Sequence, residues 1–354
     1  MKWFRIAFIV LVTLAALAFG GAFLLGTTQR PVPDQTPGYH TALVPMEHRA
    51  KPVLVHFWYP AKNQIKPELV GQNGLFFGHY VQPDAKPIEG SLPVVLLSHG
   101  SGGNAERLGW LATEIANRGM IVAAPDHPGT TSGDSDPFQT VKVWERPEDL
   151  SAILDFLGAN KEAVLKTDMN RVAVVGFSLG GFSALSISGA QVSKAQFTNY
   201  CDANRGQLDC GWMQKAGVDF ASIDQAHYEQ SNADPRIKVT VAVDPALPAA
   251  IVAGSLAKIS HPTLIINLGE PATIPTAMKA DSLAMSIPNA RYVAVSGAHH
   301  FSFMAECSWL GFIVIGVAGE DNICSDVGLR GRGEVHAEVG PVIVDFLHDK
   351  LTSP

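Results

Sequence analysis

A serine, two adjacent histidines and two carboxylates stand where apolar runs of this chain stop, and together they could carry out acyl transfer. Ser178 lies in VAVVGFSLGGFSAL (residues 172–185), where a short apolar stretch runs into glycine, serine and glycine. A serine hydroxyl is a weak nucleophile at neutral pH, so it needs a base to take its proton and a carboxylate to orient that base. The pentapeptide GFSLG fits G-x-S-x-G, a tight strand-to-helix turn that holds a serine in strained backbone and lifts its hydroxyl clear of the sheet. For the base, SGAHHFSF offers His299 and His300, and for the acid, VAVDPALP offers Asp244 and LGEPATIP offers Glu270. An unpaired carboxylate at the end of so apolar a strand as that before Asp244 would be costly. The plainer readings are an ordinary turn at Ser178, strand-capping histidines and a helix cap at Asp244.

Ester or amide cleavage places negative charge on the former carbonyl oxygen, and backbone N–H groups aimed at that point stabilise it. The segment LLSHGSGGN (residues 96–104) suits this task, because its glycines let main chain approach a substrate closely. A phosphate-binding loop is a weak alternative, since no Gly-Lys-Ser/Thr follows. His99 is expected to brace this loop rather than to bind a metal.

These residues need a scaffold that brings strand ends together. Apolar, β-branched runs recur at 53–60, 92–100, 120–129, 171–178, 238–246, 262–270 and 290–300. Helical patterns lie between most of them, at 105–119, 146–160 and 275–287, and a last one closes the chain at 339–351. Near-continuous apolar strands alternating with amphipathic helices predict an α/β fold, a mostly parallel central sheet flanked by helices. His99, Asp126, Ser178, Asp244 and His300 each follow an apolar strand, at the sheet end where such folds collect function. One interval breaks the rhythm: residues 191–236 are too many for an ordinary crossover and read as an inserted cap over the site, with a surface excursion as the alternative.

The amino terminus places Lys2 and Arg5 before an uncharged apolar run that lasts until Arg30. Residues 1–26 are expected to be a signal peptide or an N-terminal membrane anchor, and the small residues Ala18, Gly20 and Ala22 favour cleavage. A proline-rich linker over 27–40 follows, and one domain of residues 41–354 is expected after it. Export makes disulfides the expected state of Cys201, Cys210, Cys307 and Cys324, with the local pairs 201–210 and 307–324 preferred over the other connectivities. The alternative is four buried thiols. No C-x-x-C supports zinc. The formal net charge of −7 carries no basic block, which argues against a nucleic-acid partner.

Taken in order, SHGSGG, GMIVAAPDHPG, RPEDLSAILDFL, GFSLGG, VDPAL and GAHHFSF span most of the chain after residue 50, and the set resembles the α/β-hydrolases. Within them it is similar to bacterial dienelactone hydrolases and to the platelet-activating-factor acetylhydrolases. The resemblance implies an α/β-hydrolase fold and the chain order serine, acid, histidine. The histidine loop of that group looks like G-A-x-H-F-x-F, which points to His300 and leaves His299 at the variable position. Many α/β-hydrolases carry the acid in a G-x-x-D pattern after the penultimate strand, where this chain has Ala272, whereas the acetylhydrolase-like branch carries it one strand earlier, at Asp244. By the same resemblance the backbone of Ser101 and Leu179 would form the oxyanion hole. Dienelactone hydrolases use cysteine where Ser178 stands, so their lactone chemistry does not carry over.

The expected activity is therefore an exported, periplasmic or extracellular serine esterase acting on a small-molecule ester, with lipid-like esters within its range. Amide or peptide cleavage by the same residues, or a non-catalytic binding protein of this fold, are the competing readings. No cofactor is implied, and Asp134, Asp136 and His127 make only a faint case for a metal. The apolar segment SWLGFIVIGVAG (residues 308–319) is expected to be a packed core helix before an acyl-pocket wall or a membrane-docking surface.

Overall fold

The computed structural model describes residues 31–62, 65–159, 165–207, 210–272, 274–318, 323–326 and 330–352, together with 9–10, 12–14, 17 and 20–21. Most of the expected leader, and residues 27–30 of the linker after it, lie outside the described residues. Among those described, no helix is long and apolar enough to cross a membrane.

Ten strands make the main sheet: β1 (Gly38–Val44), β2 (Val53–Tyr59), β3 (Glu68–Val70), β4 (His79–Pro83), β5 (Leu92–Ser98), β6 (Ile121–Pro125), β9 (Thr167–Phe177), β10 (Ile237–Val243), β11 (Thr263–Leu268) and β12 (Ala290–Val295). Between β6 and β9 a small hairpin is formed by β7 (Thr130–Thr131) and β8 (Asp134–Ser135). The sheet order is β12-β11-β10-β9-β5-β6-β2-β1-β4-β3. From β12 to β6 every pairing is parallel, whereas β2 runs antiparallel to both β6 and β1. A parallel pair needs a long crossover, and the short link from β1 to β2 permits only the antiparallel arrangement.

Helices cover both faces. On one lie α1 (Gly109–Asn117) and α9 (Arg332–Thr352), whose Leu111, Ile115, Val335 and Val339 pack against Val95, Val175 and Val241. On the other, α2 (Glu145–Ala159) and α3 (Leu179–Ile187) set Leu150, Leu154, Ala184 and Ile187 against Leu96, Ile121 and Val174. Strands β5 and β6 owe their apolar runs to this double coverage, and in β10 only Lys238, near its start, is exposed. Strands β3 and β4 are short and half-exposed, so their sequences ELV and HYVQP carry no such run and gave no strand signal.

Residues 191–236 fold as short helices, α4 (Lys194–Ala203), α5 (Gly211–Lys215) and α6 (Gln225–Tyr228). Cys201 and Cys210 form a disulfide that joins α4 to the start of α5, and Cys307 and Cys324 form the second. Between the latter two, α8 (Trp309–Ala318) departs from the expected core helix: Trp309, Phe312, Ile313 and Val314 are exposed. The helix α7 (Asp281–Ser286) is shorter than its sequence pattern suggested.

Candidate active site

The chain leaves β9 at Phe177 and enters α3 at Leu179, so a single residue must make the turn. Ser178 does so at φ 58° and ψ −120°, a region that costs a side-chain-bearing residue on the order of 1–3 kcal/mol. The neighbouring main chain is packed so closely that only glycine fits beside it. A Cβ on Gly176 would meet the Gly180 carbonyl oxygen at 1.9 Å, and one on Gly180 would meet that of Ser98 at 1.9 Å.

One strand over, β10 ends in the same way. Asp244 has φ 42°, and its N–H donates to the Ile266 carbonyl at 2.8 Å. The two strand ends are joined, since Ser178 N–H donates to the Val243 carbonyl at 2.9 Å and Ala246 N–H to that of Ser178 at 3.0 Å. The Asp244 carboxylate is 1 % exposed, yet both oxygens have partners. Oδ1 accepts from Asn267 Nδ2 at 2.8 Å and Leu268 N–H at 2.9 Å, and Oδ2 lies 3.0 Å from His300 Nδ1. These bonds remove the penalty of an unpaired buried charge and fix the carboxylate toward the imidazole.

His300 opens a 3-10 turn after β12, and its Nε2 lies 3.1 Å from Ser178 Oγ. With Nδ1–H donating to Asp244, Nε2 carries the lone pair that faces the hydroxyl. Ser178, His300 and Asp244 thus form one hydrogen-bonded chain. Glu270 is exposed after β11, and His299 turns away to place Nε2 2.9 Å from Asp326 Oδ1.

Two supports of the histidine turn were not anticipated. Trp110 Nε1 donates to the Phe303 carbonyl at 2.8 Å, and His336 Nε2 donates to the Ser302 carbonyl at 3.0 Å. Their rings stack with centroids 3.8 Å apart, and burial lowers His336 to about 4, which keeps it neutral near pH 7.

On the other side of Ser178 lies the glycine loop. His99 is buried, with Nδ1 2.7 Å from the Gly100 carbonyl and Nε2 accepting from His127 N–H at 3.1 Å. Because a trans peptide points its C=O and N–H in opposite directions, holding the Gly100 carbonyl toward His99 turns the Ser101 N–H away from it. A Cβ on Gly100 would come within 3.1 Å of the Ser178 Cβ, so glycine allows this loop to lie against the serine. Leu179 is the first residue of α3, where N–H groups lack intrahelical acceptors. Ser101, Ser178 and Leu179 line one cavity of about 70 Å³. Its remaining wall is mostly apolar: Phe197, Trp212, Met213 and Tyr228 come from residues 191–236, and Val141, Val143, Ala246, Leu247 and Met278 from elsewhere. Among the described residues, none of α8 lines it. A shallower groove of about 810 Å³ lies elsewhere, between the start of β12 and α9, and holds none of these groups.

The candidate metal residues have other partners. His127 bonds Asp149 and Ser98, Asp134 accepts from Gly129 N–H, and Asp136 accepts from Phe138 N–H.

Residues 94–309 match the sequence profile of the Alpha/beta hydrolase family. No curated protein matches the chain by sequence. Among solved structures it is similar to a ferulic acid esterase from Streptomyces cinnamoneus, with 18 % identity over 92 % of this chain and 94 % of that one and a TM-score of 0.60. It also resembles a dienelactone hydrolase from Anabaena variabilis, with 14 % identity over 90 % of this chain and 100 % of that one and a TM-score of 0.48.

Proposed function

Since the chain belongs to the alpha/beta hydrolase family, we propose that it is a serine hydrolase of carboxylic esters that works through an acyl-enzyme. The observation that carries this reading is the continuous chain from Ser178 Oγ to His300 Nε2 at 3.1 Å and from His300 Nδ1 to Asp244 at 3.0 Å. In it His300 takes the Ser178 proton as Oγ attacks the ester carbonyl, and Asp244 stabilises the imidazolium. The N–H groups of Ser101 and Leu179 hold the oxyanion. His300 then protonates the leaving alkoxide, and water repeats the sequence on the acyl-enzyme.

The cavity beside Ser178 supports a substrate class. Its volume is less than half that of a cavity of roughly 150 Å³ that takes up benzene, and its lining carries no charged side chain. Both features favour a compact, uncharged group as the part of the ester bound there. Two disulfides and the apolar leader support action in an oxidising compartment outside the cytosol.

Ser178→Ala should abolish hydrolysis of p-nitrophenyl acetate and labelling by a fluorophosphonate while the protein still folds. Activity surviving in that variant rejects the assignment, and faster turnover of an anilide than of the matching ester shifts the reading to an amidase.

A further inference from the structure

The most unusual side chain near the site touches none of the three residues of the chain. Arg146 is 2 % exposed and stands in the first turn of α2, where the helix dipole opposes a cation. Burial lowers its guanidinium to about 9. Its hydrogen bonds go to neutral oxygens: Ser183 Oγ at 3.2 Å, Thr130 Oγ1 at 2.6 Å, Ser98 Oγ at 3.2 Å and the His99 carbonyl. Asp149, one turn further along α2, offsets the charge from a distance while itself bonded to His48, Arg49 and His127. Burying a cation among neutral acceptors carries a desolvation cost that these bonds offset only in part.

From this one guanidinium, hydrogen bonds run to the chain on either side of Ser101 and, through Ser183, to the Leu179 carbonyl. Toward Ser101, Arg146 holds the His99 carbonyl directly, and it holds Thr130, whose own carbonyl accepts from Gly102 N–H at 2.9 Å. The hairpin of β7 and β8 is tied to the same loop by Ser132 N–H donating to the Gly103 carbonyl at 2.7 Å. Toward Leu179, Arg146 Nε donates to Ser183 Oγ, which donates at 2.9 Å to the Leu179 carbonyl. A planar fork with five donors spread over three nitrogens can serve four oxygens on separate elements, whereas a lysine ammonium offers three donors on a single nitrogen.

We infer that Arg146 is the positioning residue of the oxyanion hole, fixing the glycine loop and the start of α3 relative to each other so that the Ser101 and Leu179 N–H groups converge. The inference rests on the serine-hydrolase reading. An oxyanion exists only in the transition state and the tetrahedral intermediates, so misaligned donors lower kcat and leave substrate binding alone.

The test compares wild type with Arg146→Lys and Arg146→Met, each checked for its folded state by near-ultraviolet circular dichroism. With p-nitrophenyl acetate, kcat should fall about 100-fold in both, with KM within about twofold, since loss of one oxyanion donor has an effect of that order. Affinity for a trifluoromethyl ketone, which mimics the tetrahedral intermediate, should fall in parallel. Folded variants that keep kcat within twofold of wild type overturn the inference, as does a raised KM with unchanged ketone affinity. Should neither variant fold, Ser183→Ala removes only the link to the Leu179 carbonyl, and an unchanged kcat there overturns it equally. If wild type itself cleaves no ester and takes no fluorophosphonate, the hydrolase reading fails and this inference falls with it.

Discussion

The His300 imidazole stacks on Phe177, the residue immediately before Ser178, with ring centroids 4.8 Å apart and planes 30° from parallel. The base therefore rests on the same turn that carries the hydroxyl. Phe177 is itself packed against Phe303, which follows His300 by three residues. Phe177→Leu keeps apolar volume but loses the flat support, and a misplaced catalytic group is expensive in rate. It should lower kcat by about tenfold or more, out of proportion to a core destabilisation of about 1 kcal/mol. A variant with wild-type kcat would show that the Asp244 bond alone holds the ring.

The adjacent histidines should separate cleanly. His300→Gln removes the proton acceptor of Ser178 and should reduce kcat by about 10³-fold or more. His299→Gln breaks the pairing with Asp326, a residue also held by Arg332 Nε at 3.2 Å, and the edge contact with Phe301, and should lose less than about tenfold. Comparable losses in the two would mean that the base had been assigned to the wrong ring.

Stability should respond to pH through Glu114, whose carboxyl on α1 faces Gly340 of α9 and is raised by burial to about 7 from 4.5. Between those values the folded chain holds the proton and the unfolded chain has lost it. The Glu114 contribution is thus full below about pH 4.5 and declines as pH rises toward 7. His336 works in the opposite sense: its contribution is full above 6.5 and is lost as pH falls toward about 4. In urea unfolding, Glu114→Gln should gain stability relative to wild type between pH 5 and 7.5. An identical difference at both pH values would show that Glu114 is ionised throughout.

The Cys201–Cys210 bridge closes a short loop, with a sequence separation of 9, and in the chain-entropy picture stabilises the fold by about 3 kcal/mol. It also joins the helices that carry Phe197, Trp212 and Met213 to the cavity. Cys201→Ala with Cys210→Ala should lower the melting temperature and raise KM for p-nitrophenyl acetate more than it lowers kcat. A lower melting temperature with unchanged KM would separate the bridge from the cavity wall.

What could be read in the sequence follows from how local each requirement is. GFSLGG was legible because one tight turn makes its demands within six consecutive residues. Asp244 stood out as a lone carboxylate ending an otherwise apolar strand, but preferring it to Glu270 took resemblance. Choosing His300 over its neighbour took resemblance, since the partners that distinguish them, Asp244 and Asp326, lie 56 and 27 residues away. Arg146 gave no signal of its role, because its four acceptors sit between 16 and 48 residues from it on separate elements. Trp110 and His336 escaped for the same reason. The exposed face of α8 was misread because an uninterrupted apolar helix carries no polar stripe to mark which side meets solvent.

Each disulfide joins a cysteine to the next one along the chain, at separations of 9 and 17. A polypeptide that emerges amino terminus first can close the Cys201–Cys210 bridge before Cys307 appears, and Cys307 and Cys324 are then left only each other. Oxidation that keeps pace with synthesis therefore leads to the native pairing without an exchange step.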